Sequence, residues 1–309
     1  MTMPAAPLSE QVLLAGKTSF AIGGPARYYS VPESTGELLN ILEYAHQEQL
    51  PLLLLGKGTN LLVSDSGWPG LVVHLTDRFN GGAVVWDDAR VTVAGGVQLN
   101  SFVKSAVERG VKGVEELAGI PGTIGGAVIM NAGAFSTSIA DTLVRVTCCC
   151  PDTGEVVKRS AAELELGYRS SRLRRTGEIV LSAEFAFRST ASSAELASRR
   201  REILDRRKAK QPLEYPNCGS VFKRPPGNYA GTLIEASGLK GLRCGGAEVS
   251  TKHANFIVNI GRARADDVRH LIYTIQKRVW EQHNVLLEPE VIFRGHFDEP
   301  LFTPPEKHT

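Results

Sequence analysis

The sequence has no apolar run long enough to cross a bilayer: the longest, Leu50 to Leu55, falls well short of the ~20 residues a spanning helix needs. Met1 to Lys17 has neither the basic region nor the apolar length of a signal peptide, so a cytoplasmic location with no membrane partner is expected. There is no CxxC pair and no Cys/His spacing suited to zinc, which predicts no metal site. The five cysteines are an odd number, and Cys148, Cys149 and Cys150 are adjacent. Successive strand residues point to opposite faces, so reduced, mostly buried thiols are expected rather than a disulfide framework. A formal net charge of +2, with no basic block outside 199–210, argues against a nucleic-acid partner. No Gly-x-Ser-x-Gly elbow surrounds Ser220, which disfavours acyl transfer, and no internal repeat or low-complexity tract is present.

What remains is an ordinary globular composition, 42% hydrophobic and 22% charged over 309 residues, enough for two or three domains. A strand is expected at 26–31, followed by a capping box, Ser34-x-x-Glu37, and a helix whose Leu38, Ile41, Leu42 and Ala45 share one face. Apolar strands follow at 52–55 and 71–75. From residue 80 the pattern changes to hairpins at 84–93 and 144–158, a helix at 98–108 and a strand at 179–187. A charged helix over 192–210 stops near Gln211-Pro212. A third region has an amphipathic helix at 266–283 and a strand at 285–293. The expected division is 1–79, 80–210 and 211–297, with a tail at 298–309.

Two glycine-rich loops carry the chemistry. Gly56, Lys57, Gly58, Thr59, Asn60 and Leu61 directly follow an apolar strand, and glycines there let backbone N–H groups approach a phosphate or pyrophosphate. The loop fails as a Rossmann fingerprint, since Leu61 stands where the third glycine belongs. The second loop has Gly119, Pro121, Gly122, Thr123, Gly125 and Gly126, then Asn131 and Ala132. Either loop alone reads equally well as close packing; together they can hold the two ends of one dinucleotide. Gly16-Lys17-Thr18 lacks the upstream glycine of a nucleotide-triphosphate loop. Arg169 suits a carboxylate or phosphate, Ser220 sits on a turn, and Glu290 lies in an apolar stretch where a buried carboxylate needs a partner. Each has a plain alternative: a solvated arginine, a serine bonded to local backbone, an edge-strand glutamate. In Lys252-His253-Ala254-Asn255, His253 reads as a hydrogen-bonded core residue rather than a catalyst.

The order of these pieces resembles the MurB family of UDP-N-acetylenolpyruvoylglucosamine reductases. The resemblance runs through Thr18-Ser19-Phe20-x-x-Gly23-Gly24-Pro25, Gly56-x-Gly58-Thr59-Asn60-Leu61-Leu62, Gly119 to Gly126, Tyr168-Arg169, Tyr215-Pro216-Asn217-Cys218-Gly219-Ser220 and Leu287-Glu288-Pro289-Glu290-Val291, from about residue 17 to 295. Each motif is weak singly; six in order are not. The chain departs from the family pattern at Arg224, where Asn is common, and at Ile292, where Arg is frequent. The short segment between Arg169 and Ser220 has no counterpart of a tyrosine-bearing loop, which places it in the shorter branch.

The resemblance implies an α+β fold of the vanillyl-alcohol-oxidase/PCMH type, two α/β subdomains for FAD and a C-terminal α+β domain for substrate. It implies FAD as bound cofactor, NADPH as hydride donor and a UDP-sugar enolpyruvyl ether as substrate, with no obligate protein partner. Arg169, Ser220 and Glu290 become the catalytic groups. In that role Glu290 must keep a proton or donate a hydrogen bond, so a raised pKa is expected. Lys210, Lys223 and Tyr168 are expected at the substrate. The alternatives are another FAD-dependent oxidase or dehydrogenase acting on a sugar or alcohol, and a non-catalytic flavin-binding module.

Overall fold

The computed structural model describes residues 7–305; residues 306–309, part of the tail expected from 298, lie outside the described residues. The chain divides into two compact units. Of the described residues, one contains 7–10, Tyr28–Lys57 and Gly70–Arg207, and the other contains Gln11–Arg27, Gly58–Pro69 and 208–305. Each is therefore assembled from segments far apart in sequence.

In the first unit, the Thr35–Gln47 helix is capped by Ser34, whose side chain accepts from the Glu37 N–H at 3.1 Å. The return bond of the box differs from expectation: the Glu37 carboxylate reaches the Glu33 N–H at 2.8 Å. The helix buries Leu38, Ile41, Leu42 and Ala45. The Leu52–Leu55 strand pairs in parallel with Trp68–His74, in register from Leu52 opposite Leu71 to Leu55 opposite His74. A parallel pair of this kind accounts for the unbroken leucine run.

A five-stranded antiparallel sheet forms the centre of the unit, in the order Val156–Ser160, Leu143–Cys149, Ile179–Ala186, Arg90–Ala94, Val84–Asp87. Both of its faces are covered. Cys148, Val180 and Phe185 lie in one core with Phe102 and Val128, while Cys149, Ile179 and Leu181 lie in another with Leu38, Ile41 and Val73. This explains the run of small apolar thiols on one strand: consecutive residues face two different interiors. Between Thr147 and Cys148 the partner skips from Ser182 to Val180, leaving Leu181 as a bulge that turns it toward the second core. All five cysteines are free. Burial pushes the Cys148 thiol to about 11, with the neighbouring Glu178 carboxylate adding to it, and burial takes Cys149 to about 11 as well.

In the second unit, a three-stranded sheet in the order Arg243–Cys244, Ala247–Val249, Ile257–Asn259 packs with the Ala230–Ala236 and Ala265–His283 helices around Phe222, Ile257, Leu271, Ile275 and Leu287. Asp65 starts the long helix, its Oδ1 accepting from the Ala265 N–H at 3.0 Å. Leu61–Val63 pairs in parallel with Ile292–Arg294. The strand expected over 285–293 is thus mostly replaced by extended chain, with a ladder only at Ile292–Arg294 and a single bridge between Phe222 and Pro289. Proline has no N–H for a ladder, and the apolar pattern that suggested a strand reports the burial of Leu287 and Val291 instead. Among the described residues, no helix is long and apolar enough to cross a membrane.

Candidate active site

The two glycine loops touch within the first unit. Gly56 ends the Leu52–Leu55 strand, and a Cβ there would lie 2.7 Å from Thr123 Oγ1, so only glycine permits the approach. Lys57 Nζ donates to Gln98 Oε1 at 3.1 Å, and Gln98 bridges Thr123. Thr123 caps the Ile124–Ile129 helix by accepting from the Gly126 N–H. The second loop's amides are largely taken up inside the protein: Gly119 donates to Asn100 Oδ1 at 2.7 Å, Ile124 to the Val97 carbonyl at 2.8 Å and Gly125 to the Gly95 carbonyl at 2.8 Å. Gly122, with φ of 145°, accepts from the Leu99 N–H, and Pro121 precedes it. The missing side chains are needed for packing inside the protein: a Cβ at Gly119 would lie 2.6 Å from Arg207 Cδ, and one at Gly125 3.2 Å from the Gly95 carbonyl.

Asn131 and Ala132 follow this helix. Asn131 Nδ2 donates to the Gly167 carbonyl at 3.0 Å, its Oδ1 accepts from the Ala140 N–H at 3.0 Å, and Ala132 is buried. Asn131 is thus a strut between the glycine loop and the turn that holds Arg169. That turn is closed by Gly167 and Ser170, each donating to the other's carbonyl, and Arg174 Nη1 donates to the Arg169 carbonyl at 3.0 Å. Arg169 has φ of 52°, a left-handed conformation that costs an arginine roughly 1 kcal/mol or more and persists where surrounding bonds enforce it. Its guanidinium lies over the Tyr168 ring and reaches the Gly133 carbonyl at 3.5 Å, with Tyr168 itself exposed.

In the second unit, Ser220 and Glu290 come together through their neighbours. The Glu290 N–H donates to the Val221 carbonyl at 2.7 Å, and the Lys223 N–H donates to the Glu288 carbonyl at 2.9 Å. Asn60 Nδ2 donates to the Glu290 carbonyl at 3.0 Å, and the Ile292 N–H donates to the Asn60 carbonyl at 2.9 Å. Leu61, opposite Ile292, extends this seam. Gly58, in the same unit, has φ of 64°, and a Cβ there would come within 2.4 Å of the Lys17 carbonyl. The turn before Ser220 is fixed by Asn217, whose Oδ1 accepts from the Gly219 N–H at 2.9 Å, and by Ser19 Oγ, which donates to the Asn217 carbonyl at 2.6 Å. Burial raises the Cys218 thiol pKa, so this thiol stays neutral.

Lys223 forms an ion pair with Glu288. Lys210 ends the Ser193–Lys210 helix with its side chain exposed. Arg224, where the family pattern has Asn, stacks over the Tyr229 ring at 4.1 Å. Asn60, expected from the sequence at a cofactor, also grips the Glu290 carbonyl. Asn255 is a backbone partner that no sequence pattern reveals, since an Asn before an apolar strand carries no sign of its bonds. His253, expected as a hydrogen-bonded core residue, packs edge-on against Phe256, and burial lowers its pKa.

The chain has an α+β FAD-binding fold of the vanillyl-alcohol-oxidase/PCMH type, and residues 26–160 match the FAD binding domain family. Residues 211–294 match the UDP-N-acetylenolpyruvoylglucosamine reductase, C-terminal domain, family. The chain is 44% identical over 293 residues to the UDP-N-acetylenolpyruvoylglucosamine reductase of Caldicellulosiruptor bescii, covering 93% of this chain and 90% of that protein. It is 45% identical to UDP-N-acetylenolpyruvoylglucosamine reductase 2 of Symbiobacterium thermophilum, covering 93% of this chain and 91% of that one. The crystal structure of UDP-N-acetylenolpyruvylglucosamine reductase (MurB) from Thermus caldophilus superposes with a TM-score of 0.78 at 37% identity, over 94% of this chain and 99% of that one. The chain belongs to the UDP-N-acetylenolpyruvoylglucosamine reductase family.

Proposed function

We propose that Arg169, Ser220 and Glu290 are the catalytic groups with which this chain reduces UDP-N-acetylglucosamine enolpyruvyl ether to UDP-N-acetylmuramate, a step of peptidoglycan precursor synthesis. FAD, held by the Gly56–Leu61 and Gly119–Ala132 loops, would supply the hydride that the methylene carbon of the enol ether takes up, with NADPH as its source. The loops carrying Gly56, Gly58, Gly119, Gly122, Gly125 and Gly126 are the ones we assign to the dinucleotide, and the match of residues 26–160 to an FAD binding domain family supports this. The division of labour that fits is 1–79 and 80–210 for the cofactor and 211–297 for the substrate.

Hydride addition pushes electron density onto the conjugated carboxylate of the substrate, and that charge needs donors. Arg169 answers it with paired N–H groups, pre-set by its enforced backbone conformation. Glu290 contributes as a protonated carboxyl donating to a substrate oxygen, since an ionised one would repel the growing charge. Ser220 gives its hydroxyl proton to the remaining alkene carbon and is then reprotonated from solvent. Lys210 suits the diphosphate of the substrate, and Tyr168, under the Arg169 guanidinium, suits a contact to the substrate beside it. Lys223 would have to exchange Glu288 for a diphosphate to join them. Five free thiols fit the reducing cytoplasm.

The observation that carries this reading is the Glu290 N–H bonded to the Val221 carbonyl, which holds the Glu290 and Ser220 segments side by side. The test is stopped-flow absorbance of the purified protein. NADPH should bleach the flavin and the UDP-enolpyruvyl substrate should restore its colour; a flavin that bleaches but is not reoxidised by this substrate refutes the assignment.

A further inference from the structure

Asn255 closes three hydrogen bonds on the two residues after Ser220. Its carbonyl accepts from the Val221 N–H at 2.9 Å, its Oδ1 accepts from the Phe222 N–H at 3.0 Å, and its Nδ2 donates to the Phe222 carbonyl at 2.9 Å. A carboxamide that serves both peptide groups of one residue imitates the edge of a neighbouring strand. The far edge of the same strip is held by the 288–290 segment, through Val221 with Glu290 and Lys223 with Glu288. Phe222 and Pro289 therefore form the pair between those two bonds, with the polar groups of Phe222 facing away from Pro289 toward Asn255. Asn255 is 8% exposed, and Phe222 is 1% exposed. Water has little access to replace either bond, so the side chain is the partner those peptide groups depend on.

The strip from Val221 to Lys223 belongs to none of the strands of the unit's sheets. Its position is thus set from its two edges: the extended chain carrying Glu290 on one and Asn255 on the other. Asn255 is itself held from behind, its N–H donating to His253 Nδ1 at 3.3 Å.

We infer that Asn255 is a positioning residue for the half-reaction in which substrate reoxidises the flavin, setting Ser220 and Glu290 in mutual register through Val221 and Phe222. The inference rests on the assignment of Ser220 and Glu290 above. It concerns the step in which substrate takes up a hydride and a proton, and leaves the NADPH step untouched.

The test is Asn255→Asp, followed through both half-reactions by flavin absorbance over a range of pH. An ionised aspartate still accepts from the Phe222 N–H, but turns an oxygen toward the Phe222 carbonyl where a donor is required. Protonation restores an O–H that can donate. Flavin content and bleaching by NADPH should match the wild type at every pH. Recovery with substrate should be slowed about a hundredfold near neutrality, the scale of a misplacement of about 1 Å, and should approach the wild-type rate as pH falls. Ser220→Ala, run in parallel, should recover slowly with no such rescue. Wild-type recovery by Asn255→Asp at neutral pH, or an equal loss in both half-reactions, overturns the inference. If Ser220→Ala recovers normally, the assignment of Ser220 fails and the inference falls with it. Should the aspartate variant not fold, Asn255→Thr, which keeps one hydrogen-bonding hydroxyl, is expected to show the same split between half-reactions, and equal effects on both would overturn the inference equally.

Discussion

Asn60 and Glu290 are joined by a side-chain bond, Asn60 Nδ2 donating to the Glu290 carbonyl at 3.0 Å, while the Glu290 N–H is fixed on Val221 at 2.7 Å. Both peptide groups of the proposed acid are therefore anchored before its carboxyl enters the chemistry. Asn60→Ala should lower the rate of flavin reoxidation by substrate on the order of tenfold, the loss of roughly one hydrogen bond's net worth. FAD content should change little. Absorbance ratios of the purified variant and single-turnover kinetics separate the two effects, and a large loss of FAD with normal reoxidation would assign Asn60 to the cofactor instead.

Gly56 and Thr123 meet too closely for any side chain at position 56, with the added Cβ 2.7 Å from Thr123 Oγ1. Gly56→Ala should cost roughly 1–3 kcal/mol of stability and reduce FAD retention. Thr123→Ala alone should cost about 1 kcal/mol through loss of the helix cap. In the double variant the clash is relieved, so its loss should be smaller than the sum of the two. Chemical denaturation of the four proteins measures this, and simple additivity would mean that the loops do not press on one another there.

Glu178 is buried beside Arg159, whose Nε and Nη2 donate to Oε1 at 2.8 Å and 2.5 Å, and Thr176 Oγ1 donates to Oε2 at 2.8 Å. Burial alone would raise the carboxyl pKa; the bonds from Arg159 and Thr176 outweigh it and hold it below its ordinary value of 4.5. A carboxyl depressed in the folded state contributes stability that is present above its unfolded pKa and is lost as pH falls through the folded one. Glu178→Gln should therefore flatten the acid side of the stability profile below about pH 4.5, seen as a smaller drop in Tm on acidification. Arg159→Met should be the more harmful change at neutral pH, at about 3–5 kcal/mol, because it strands a buried charge.

Cysteine reactivity follows from the same sheet. Cys150 is partly exposed, and hydrogen bonds from Thr153 lower its pKa, whereas Cys148 and Cys149 sit near 11 in two separate cores. Alkylation of the native protein at neutral pH, read by mass spectrometry, should mark Cys150 first and leave Cys148, Cys149 and Cys218 unmodified until denaturant is added. Early labelling of Cys148 would contradict the burial of that strand.

Elements whose signal is local were legible in the sequence. Ser34 ahead of a helical stripe, four leucines in a row, and the hairpin around Asp87-Asp88 each declare themselves within a few residues, although the turn itself falls one residue later, with Asp87 paired to Arg90. The 285–293 segment misled, because apolar spacing records burial and is silent on which backbone groups pair. Also hidden was the assembly of Gln11–Arg27 and Gly58–Pro69 with the C-terminal region, which depends on partners remote in sequence. The proposal of Arg169, Ser220 and Glu290 as the catalytic groups comes from motif order. The supports around them do not: Asn131 on Gly167, Arg174 on Arg169 and Asn255 on Phe222 are side-chain bonds to backbone that no periodicity encodes.

The most direct measurement is single-turnover reoxidation of the NADPH-reduced Ser220→Ala protein by the UDP-enolpyruvyl substrate. The account predicts normal bleaching by NADPH followed by recovery slowed by about 10² to 10⁴, the range of a lost proton donor. Recovery at the wild-type rate would show that the proton comes from elsewhere and would contradict it.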